Sequence, residues 1–262
     1  MAQSPEELYA ELYDASVPDW PGEIDFYREL AAEATARGEA VLEVACGTGR
    51  VALRLAQDGA RVVGFDLSPE LLQVAASKSA DMPNVRWEQG DMLSFDMGET
   101  FGLILIPGHS FQFMLTAEAQ VACLACIRRH LVPGGTLVMH LDPPDVAWMG
   151  SLLGERGGAF GKAREIAQPG AGRRFRASNA WTYEPSTQTA AVITRWEELD
   201  AAGNVIATVK RGPMRLHSVF RLEIEHALAR AGFELVALYG DFFRAPFGDA
   251  SPSMVWVARN SA

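Results

Sequence analysis

The chain has 262 residues and a mass of 28.5 kDa, which is enough for one large α/β domain with an insertion but not for two full domains. Its 48% hydrophobic and 21% charged residues exclude wholesale disorder and a collagen-like or repeat protein. The formal net charge of −10, with no basic block, argues against nucleic acid as a partner, because lysine and arginine must neutralise its phosphates.

The first residues and the cysteines bear on where the protein is found. The segment Met1–Glu7 has neither the basic nor the apolar part of a signal peptide. No stretch approaches the ~18 consecutive apolar residues of a membrane span. Three cysteines, Cys46, Cys123 and Cys126, do not form a disulfide framework. We therefore expect a soluble, cytoplasmic protein without a membrane partner.

Residues 5–37 contain two helix-like stretches separated by the Pro/Gly cluster Val17–Gly22, and they predict an N-terminal helical cap over residues 1–39. From Ala40 onward, short apolar runs alternate with helical periodicity. The predicted strands are 41–45, 61–65, 84–88, 101–106 and 136–141, and the predicted helices are 50–57, one from Ser68, and 116–131. This alternation predicts a parallel sheet covered by helices on both faces.

After Leu141 the alternation stops, and a Gly/Pro-rich stretch leads into three longer strands with polar alternation. These strands are predicted at 174–184, 189–199 and 205–218, with a hairpin turn at Gly203-Asn204 between the last two. A helix at 221–231 and strands at 233–239 and 253–258 return to the sheet. The predicted organisation is a cap over 1–39, a core over 40–141 and 221–262, and an antiparallel insertion over 142–220.

A glycine-containing loop, Glu43-Val-Ala-Cys-Gly-Thr-Gly-Arg50, joins the first strand to the next helix. Glycines at such a turn let the backbone approach a ligand closely. Gly47–Ala52 also fits the dinucleotide pattern G-x-G-x-x-G/A, so a nicotinamide-dependent oxidoreductase is an alternative. Against it, Glu43 lies inside the strand, where a charge requires a polar ligand or a hydrogen-bond network. Asp66 and Asp91 end the next two strands, where each alone is also a common turn residue.

Four segments then carry a resemblance to a known family: Val41–Arg50, Val63–Glu70, Gly90–Met92 and Leu131–Leu137. In this order and spacing they resemble the motifs of the class I S-adenosylmethionine-dependent methyltransferases over most of the chain. The resemblance implies a Rossmann-like α/β fold whose seven-stranded sheet is mostly parallel with an antiparallel last strand. At Ala45 the family usually has glycine, and we expect a slightly altered contact rather than loss of binding.

The resemblance also implies roles in holding S-adenosylmethionine and its product S-adenosylhomocysteine. Aspartates at strand ends would bind the ribose hydroxyls and the adenine, the loop backbone would pass the methionine portion, and N-terminal aromatic residues would close over the carboxylate. By the resemblance, Asp66 would bind the ribose, and Asp91 and Met92 would bind the adenine. Pro107 would lie beside the sulfonium. The full implied cofactor set is Tyr13, Trp20, Glu43, Ala45, Gly47, Asp66, Leu67, Asp91, Met92 and Pro107.

The segment after the fourth strand narrows the class of acceptor. It reads Ile106-Pro-Gly-His-Ser110, without the Asp/Asn-Pro-Pro-Tyr/Phe motif of nucleobase and glutamine amino-methyltransferases, and the chain has no Pro-Cys pair for a cytosine-C5 enzyme. The insertion is similar to the antiparallel lids of small-molecule N-methyltransferases, including the amino-sugar enzymes. We therefore expect methyl transfer to a small-molecule amine, with a hydroxyl acceptor, an oxidoreductase and a non-catalytic cofactor-binding module as alternatives.

His109 is the candidate catalytic base, because it follows the fourth strand and an imidazole titrates near neutral pH. A histidine that only hydrogen-bonds the loop backbone is the alternative, and His140 and Asp142 are second-line candidates. Within the insertion, Trp181, Tyr183, Arg215 and His217 are candidates for substrate binding or for a half-buried sheet face.

No metal is expected. Cys123, Cys126 and His130 lie at helical spacing, but a structural zinc site requires a fourth ligand, and buried apolar cysteines explain the pattern. The short basic run Arg173–Arg176 is read as a solvated loop that could otherwise meet a phosphate-bearing substrate. A homodimer formed through the insertion is left open.

Overall fold

The computed structural model describes residues 3–167 and 172–261. Its helices are α1 (Pro5–Ser16), α2 (Glu23–Ala36), α3 (Ala52–Gln57), α4 (Pro69–Lys78), α5 (Ala117–Arg129), α6 (Val146–Ser151) and α7 (Arg221–Arg230), with a short 3-10 helix at Ser110–Phe113. Its strands are β1 (Val41–Val44), β2 (Val62–Asp66), β3 (Val85–Gln89), β4 (Phe101–Ile106), β5 (Leu131–Leu141), β6 (Arg164–Ala167), β7 (Arg174–Glu184), β8 (Thr189–Leu199), β9 (Val205–His217), β10 (Phe233–Tyr239) and β11 (Met254–Asn260).

The larger sheet has seven strands in the order β10-β11-β5-β4-β1-β2-β3. Strands β5, β4, β1, β2 and β3 are parallel, and β11 pairs antiparallel with both β5 and β10. The prediction of a mostly parallel sheet with an antiparallel last strand is therefore confirmed.

Strand β5 begins earlier than predicted, at Leu131 rather than residue 136. Leu131 pairs with Phe101, and the register then shifts so that Thr136 pairs with Leu103. The Pro133-Gly-Gly sequence within the motif segment Leu131–Leu137 is thus an irregularity inside the paired strand.

Two apolar layers cover the sheet, as both faces of a parallel sheet require. Strands β1 and β4 are buried at every position, with the patterns Val-Leu-Glu-Val and Phe-Gly-Leu-Ile-Leu-Ile. One layer packs α5 and α7 against residues such as Ile104 and Trp256, and the other packs α2 and α3 against Leu103 and Leu105. These layers fix the ends of the strands, where the candidate site is found.

The chain divides into two compact units, one of residues up to Pro18 together with Pro144–Ser218, and one of Asp19–Pro143 with the residues from Val219 onward. The predicted cap over 1–39 is divided between them. Helix α1 places Leu8 and Leu12 in one apolar cluster with Phe175 and Trp196, whereas α2 packs in the core layer described above.

The first unit contains an antiparallel sheet in the order β6-β7-β8-β9. The bounds of β7 and β8 agree with the prediction, whereas β6 and α6 lie in the stretch for which no element was predicted. The turn between β8 and β9 extends from Asp200 to Asn204, where the backbone N–H of Asp200 donates to the carbonyl of Asn204 at 2.9 Å. In the part of the chain that the structure describes, no helix combines the length and apolar character needed to cross a membrane.

Candidate functional site

The carboxyl ends of the parallel strands bring the predicted site residues of the second unit to one edge of the sheet. Val44 pairs with Phe65, and Asp66 pairs with Gln89. On the other side of β1, Glu43 pairs with Leu105. In open α/β sheets, ligands bind in the crevice beyond these ends. The loops after β1 to β5 therefore form the candidate site.

The glycine loop after β1 has an unusual backbone. Ala45, Gly47 and Gly49 all have left-handed φ angles, of 57°, 56° and 77°. At Gly49 an added Cβ would also lie 2.4 Å from the ring of Trp87, so both conformation and space require glycine there. Ala45 adopts the same left-handed conformation but, unlike glycine, carries a Cβ that disfavours it. Ala45 is therefore a strained position beside the candidate ligand site.

We expect Ala45→Gly to stabilise the protein. A left-handed φ costs an L residue roughly 1–2 kcal/mol, and glycine loses about 0.5–1 kcal/mol through the greater entropy of its unfolded chain, so the expected net gain in stability is up to about 1.5 kcal/mol. Urea unfolding measures it. The matched control is Ala32→Gly at an exposed position within α2, which should cost about 1 kcal/mol. Equal destabilisation by both changes would contradict the strain at Ala45.

Asp66 is fixed at the end of β2 by two backbone donors. Its Oδ2 accepts from the N–H of Gly47 at 2.8 Å, and its Oδ1 accepts from the N–H of Ser68 at 2.9 Å. A carboxylate accepts about four hydrogen bonds in all, so Asp66 keeps acceptor capacity for a diol. The side chain is 9% exposed, and burial raises the pKa of the Asp66 carboxyl against these hydrogen bonds.

Two apolar side chains flank the polar groups at this edge. Leu67 is 66% exposed directly after Asp66, and Met92 packs half-buried against the core. Asp91 is exposed, and its Oδ1 accepts from the N–H of Leu93 at 2.9 Å. A diol acceptor with adjacent apolar surface and a second carboxylate has the chemistry that an adenosine group requires.

Glu43 lies under the glycine loop and not at its surface. It is 2% exposed, and its Oε2 accepts from the N–H of Ala52 at 2.6 Å at the start of α3. Burial raises the pKa of the Glu43 carboxyl to about 8, and the cation of Arg50 opposes this shift. Glu43 therefore supports the loop through α3 and is protonated at neutral pH.

This protonation predicts how stability depends on pH. A carboxyl whose pKa is about 8 in the fold and 4.5 ordinarily favours folding below pH 4.5, and that contribution is lost as the pH rises toward 8. In the wild type, this carboxyl should lower the free energy of unfolding by up to about 1.4 kcal/mol per pH unit as the pH rises. We expect Glu43→Gln, which keeps the oxygen acceptor, to abolish that decrease. Unfolding at pH 5.5 and 8 measures it, with Glu118→Gln at an exposed position as the control. Parallel pH curves for wild type and Glu43→Gln would contradict the assignment.

A pair of histidines lies beyond β4 and at the end of β5. The rings of His109 and His140 are 4.4 Å apart, and the N–H of His109 donates to the carbonyl of His140 at 3.0 Å. The Nε2 of His140 lies 3.0 Å from the Oγ of Ser253, and the ring is fully buried. Burial, with the neighbouring His109, lowers the pKa of His140 to about 2, so His140 is neutral.

His109 adopts a left-handed φ of 68°, which is uncommon for a residue other than glycine. Its Nδ1 lies 3.4 Å from an Oδ1 of Asp142, whose side chain is 61% exposed. Burial lowers the pKa of the His109 imidazole, and the Asp142 carboxylate opposes that shift. A neutral imidazole next to an exposed carboxylate is suited to accepting a proton and passing it to solvent.

Trp20 packs against the histidines. Its ring lies edge-on to His109 at 5.0 Å and to His140 at 4.9 Å. Pro107, also predicted for this site, is buried at the end of β4. Trp20 was predicted to close over a cofactor carboxylate, and in this structure its ring contacts the two histidines and the guanidinium of Arg50.

Sequence reasoning missed an ionic network next to Trp20. Arg50 binds Glu23 through two nitrogens, at 2.6 and 2.9 Å, and Asp19 at 2.7 Å. Ser253, which lies 3.0 Å from His140, was also missed. Residues so far apart in the chain give no local pattern, so only the fold reveals that they meet.

The substrate candidates of the insertion lie on two faces of its sheet. Thr182 pairs with Ala191, and Ala191 with Arg215, so these three share a face. Trp181 and Tyr183 alternate with Thr182 and therefore lie on the opposite face from Arg215 and His217. The register therefore places the two candidate pairs on opposite sides of the inserted sheet.

The face of Trp181 and Tyr183 is the aromatic one. Trp181 lies 5.4 Å from Trp148 of α6, and the same face holds Trp196, whose ring is 6.2 Å from Tyr9 of α1. Tyr13 lies one helical turn further along α1, 5.5 Å from Tyr9. On the other face, Arg215 is exposed and His217 is 6% exposed.

Among the described residues, no group of three or more histidine, cysteine or acidic side chains is arranged to hold a metal ion. The sulfur of Cys126 accepts from the N–H of Phe95 at 3.4 Å, and His130 Nε2 accepts from the N–H of Met97 at 3.1 Å. These two side chains hold the segment before β4 in place, and Cys123 is fully buried in the core.

A comparison with protein-family models matches residues 41–135 to a methyltransferase domain. Among curated proteins, the dTDP-4-amino-2,3,4,6-tetradeoxy-D-glucose N,N-dimethyltransferase of Saccharopolyspora spinosa is 29% identical over 133 residues, which are 51% of this chain and 52% of that protein. The chain thus spans about half the length of this relative.

Two solved structures match along the whole chain. The CcbJ methyltransferase from Streptomyces caelestis is 26% identical with a TM-score of 0.75, and the match covers 100% of both chains. An amino pentose methyltransferase of calicheamicin biosynthesis from Micromonospora echinaspora, solved with S-adenosylmethionine, is 25% identical with a TM-score of 0.71 and covers 97% of both chains.

Proposed function

Because residues 41–135 form a methyltransferase domain on the class I fold, we propose that this chain transfers a methyl group from S-adenosylmethionine to the amine nitrogen of a small molecule, with an amino sugar as the substrate class. One observation carries the proposal. The carboxylate of Asp66 at the end of β2 and the histidine pair after β4 and on β5 lie at the strand ends of one sheet, which supports a ribose site next to a proton acceptor.

The residues at the strand ends fit the cofactor. Asp66 keeps acceptor capacity for the ribose hydroxyls, and Leu67, Asp91 and Met92 would provide the apolar and polar surface for adenine. The loop backbone at Ala45 and Gly47 would hold the methionine portion, and Glu43 supports that loop through α3. Pro107 and the histidines would serve the methyl end. When bound, S-adenosylmethionine supplies a methyl group on a positively charged sulfur, which leaves as a neutral thioether.

The chain's own residues have two tasks in such a transfer. They hold the acceptor nitrogen in line with the methyl group, since positioning supplies much of the acceleration of a displacement. They also take the proton that an ammonium group must lose before its lone pair can react. His109 accepts that proton at an imidazole nitrogen, and Asp142 next to it leads to solvent.

The amino-sugar class is supported by the names of the similar proteins, an aminodeoxyglucose N,N-dimethyltransferase and an amino pentose methyltransferase. The aromatic face of the inserted sheet, with Trp181 and Tyr183, is proposed to bind the sugar, because aromatic rings pack well against its C–H faces. Tyr13 and Trp20 are proposed to cover the cofactor carboxylate. The insertion is proposed to act as a lid, in a cytoplasmic enzyme that is a monomer or a homodimer.

The test is a transfer assay with the whole chain, S-adenosylmethionine and paired acceptors. Each pair consists of a nucleotide-linked amino sugar and its analogue with a hydroxyl in place of the amine. The expected result is a methylated amine detected by mass spectrometry together with S-adenosylhomocysteine, and no product from the hydroxyl analogue. Methylation of the hydroxyl analogue alone would favour O-methyl transfer. Cofactor binding without turnover of any acceptor would favour a non-catalytic module.

A further inference from the structure

The segment Asp19–Glu23, which precedes α2 and is called the Trp20 segment below, is held by one residue of the glycine loop. Arg50 donates to both oxygens of Glu23 and to Oδ1 of Asp19. Glu23 also accepts from the backbone N–H of Trp20 at 3.3 Å through the same Oε2 that binds Arg50. One guanidinium thus fixes both ends of the segment.

Burial makes this arrangement rigid. Glu23 is fully buried, and the side chain of Arg50 is 11% exposed. Removing one partner from a buried ion pair leaves an uncompensated charge, so neither side chain can leave independently. The guanidinium also lies over the Trp20 ring at 5.4 Å, in the range of a cation–π contact. Arg50 therefore fixes the indole ring as well as the backbone that carries it.

The indole ring that Arg50 fixes also contacts the two histidines of the site. Trp20 packs edge-on against His109 and His140. We propose that Arg50 is a positioning residue for the acceptor end of the site: through Glu23 and Asp19 it holds Trp20 against His109 and keeps that imidazole out of water. This inference rests on the proposed function, in which His109 accepts the proton of the acceptor.

The consequence is a measurable change in His109. The charged and titratable groups around it are Asp142 after β5, His140 on β5, Glu23 on α2 and Arg50 itself. Replacing arginine by lysine retains the cation but not the planar fork that binds two carboxylates at once. In Arg50→Lys, Trp20 is released, water reaches the ring, and the pKa of His109 moves up toward its ordinary value of 6.5.

The experiment is an NMR titration of the His109 ring C–H signals, assigned by their loss in His109→Asn. It is measured in the wild type, Arg50→Lys and the control Arg54→Lys, since Arg54 also binds Asp19, at 2.8 Å, and is 37% exposed. We expect the pH midpoint of the His109 titration to rise in Arg50→Lys. In Arg54→Lys we expect the same midpoint as in the wild type. The acid limb of kcat/KM should move in the same direction. Equal midpoints in the two variants would overturn the proposal.

A second variant covers the case that Arg50→Lys does not fold. Asp19→Asn removes only the more exposed of the two anchors and leaves the buried Arg50–Glu23 pair intact. A smaller upward shift is expected, and a midpoint equal to that of Arg54→Lys would again overturn the proposal. The titration requires no methyl transfer, so failure of the proposed function, seen as no turnover by the wild type, is distinguishable from failure of this inference.

Discussion

Asp66→Ala should abolish measurable binding of S-adenosylhomocysteine. The alanine removes the carboxylate that accepts from the ribose hydroxyls, and charge-assisted hydrogen bonds contribute about 1.5–3 kcal/mol each, so the loss of two such bonds predicts a loss of affinity of at least ~100-fold. It also leaves the N–H groups of Gly47 and Ser68 without their acceptor. Stability should therefore fall by about 1–3 kcal/mol. Titration calorimetry measures the first effect, and urea unfolding the second.

The control separates the two effects. Asp66→Asn keeps an oxygen acceptor for one of the two backbone N–H groups and loses the negative charge, so it should be more stable than Asp66→Ala while still binding at least ~10-fold more weakly than the wild type. Wild-type affinity in either variant would show that Asp66 only holds the loop.

His109→Asn should reduce kcat by about 100-fold or more, because general-base catalysis typically contributes 10²–10⁴-fold. Asparagine tolerates the left-handed backbone of this position, so the fold and the binding of S-adenosylhomocysteine should be retained. The pKa of His109 is lowered by burial, so the wild-type rate should fall only below pH 6.5, and this acid limb should be absent from the variant.

His226→Asn is the control, since His226 is exposed on α7. It should retain the rate and the acid limb of the wild type. Unchanged kcat in His109→Asn would mean that the acceptor arrives already deprotonated, and His109 would then serve only to close the turn after β4.

The sequence was most informative where one local pattern determines an element. The alternation of β7 and β8 gave their bounds, and the order of motifs after β1 to β3 placed Asp66 and Asp91 at strand ends. Short elements were missed: β6 and α6 lie in a stretch with frequent glycines and no periodicity. At β5, the Pro-Gly-Gly sequence suggested a turn, but pairing continues through it with a shift of register, so the predicted start of the strand was too late.

Features that depend on pairing between distant segments were not predictable. The faces of Trp181 and Arg215 follow from the register of three strands, which includes a shift between Val192 and Thr194. A slip by one residue would exchange the faces. The contact of Arg50 with Glu23 joins residues 27 apart in the chain, so no local pattern indicates it. The fold class could be predicted from local sequence patterns. The acceptor end of the site could not, because tertiary packing determines it.

The most direct test of the central claim compares cofactors on the intact chain. Thermal unfolding is followed with S-adenosylmethionine, S-adenosylhomocysteine and NADH in parallel. A ligand at 100 times its Kd adds about 2.7 kcal/mol of stability, which gives a clear rise in Tm. We predict a rise with both sulfur compounds that is lost in Asp66→Ala, and none with NADH. A rise with NADH alone would contradict the methyltransferase assignment and make the loop at Gly47 a dinucleotide site.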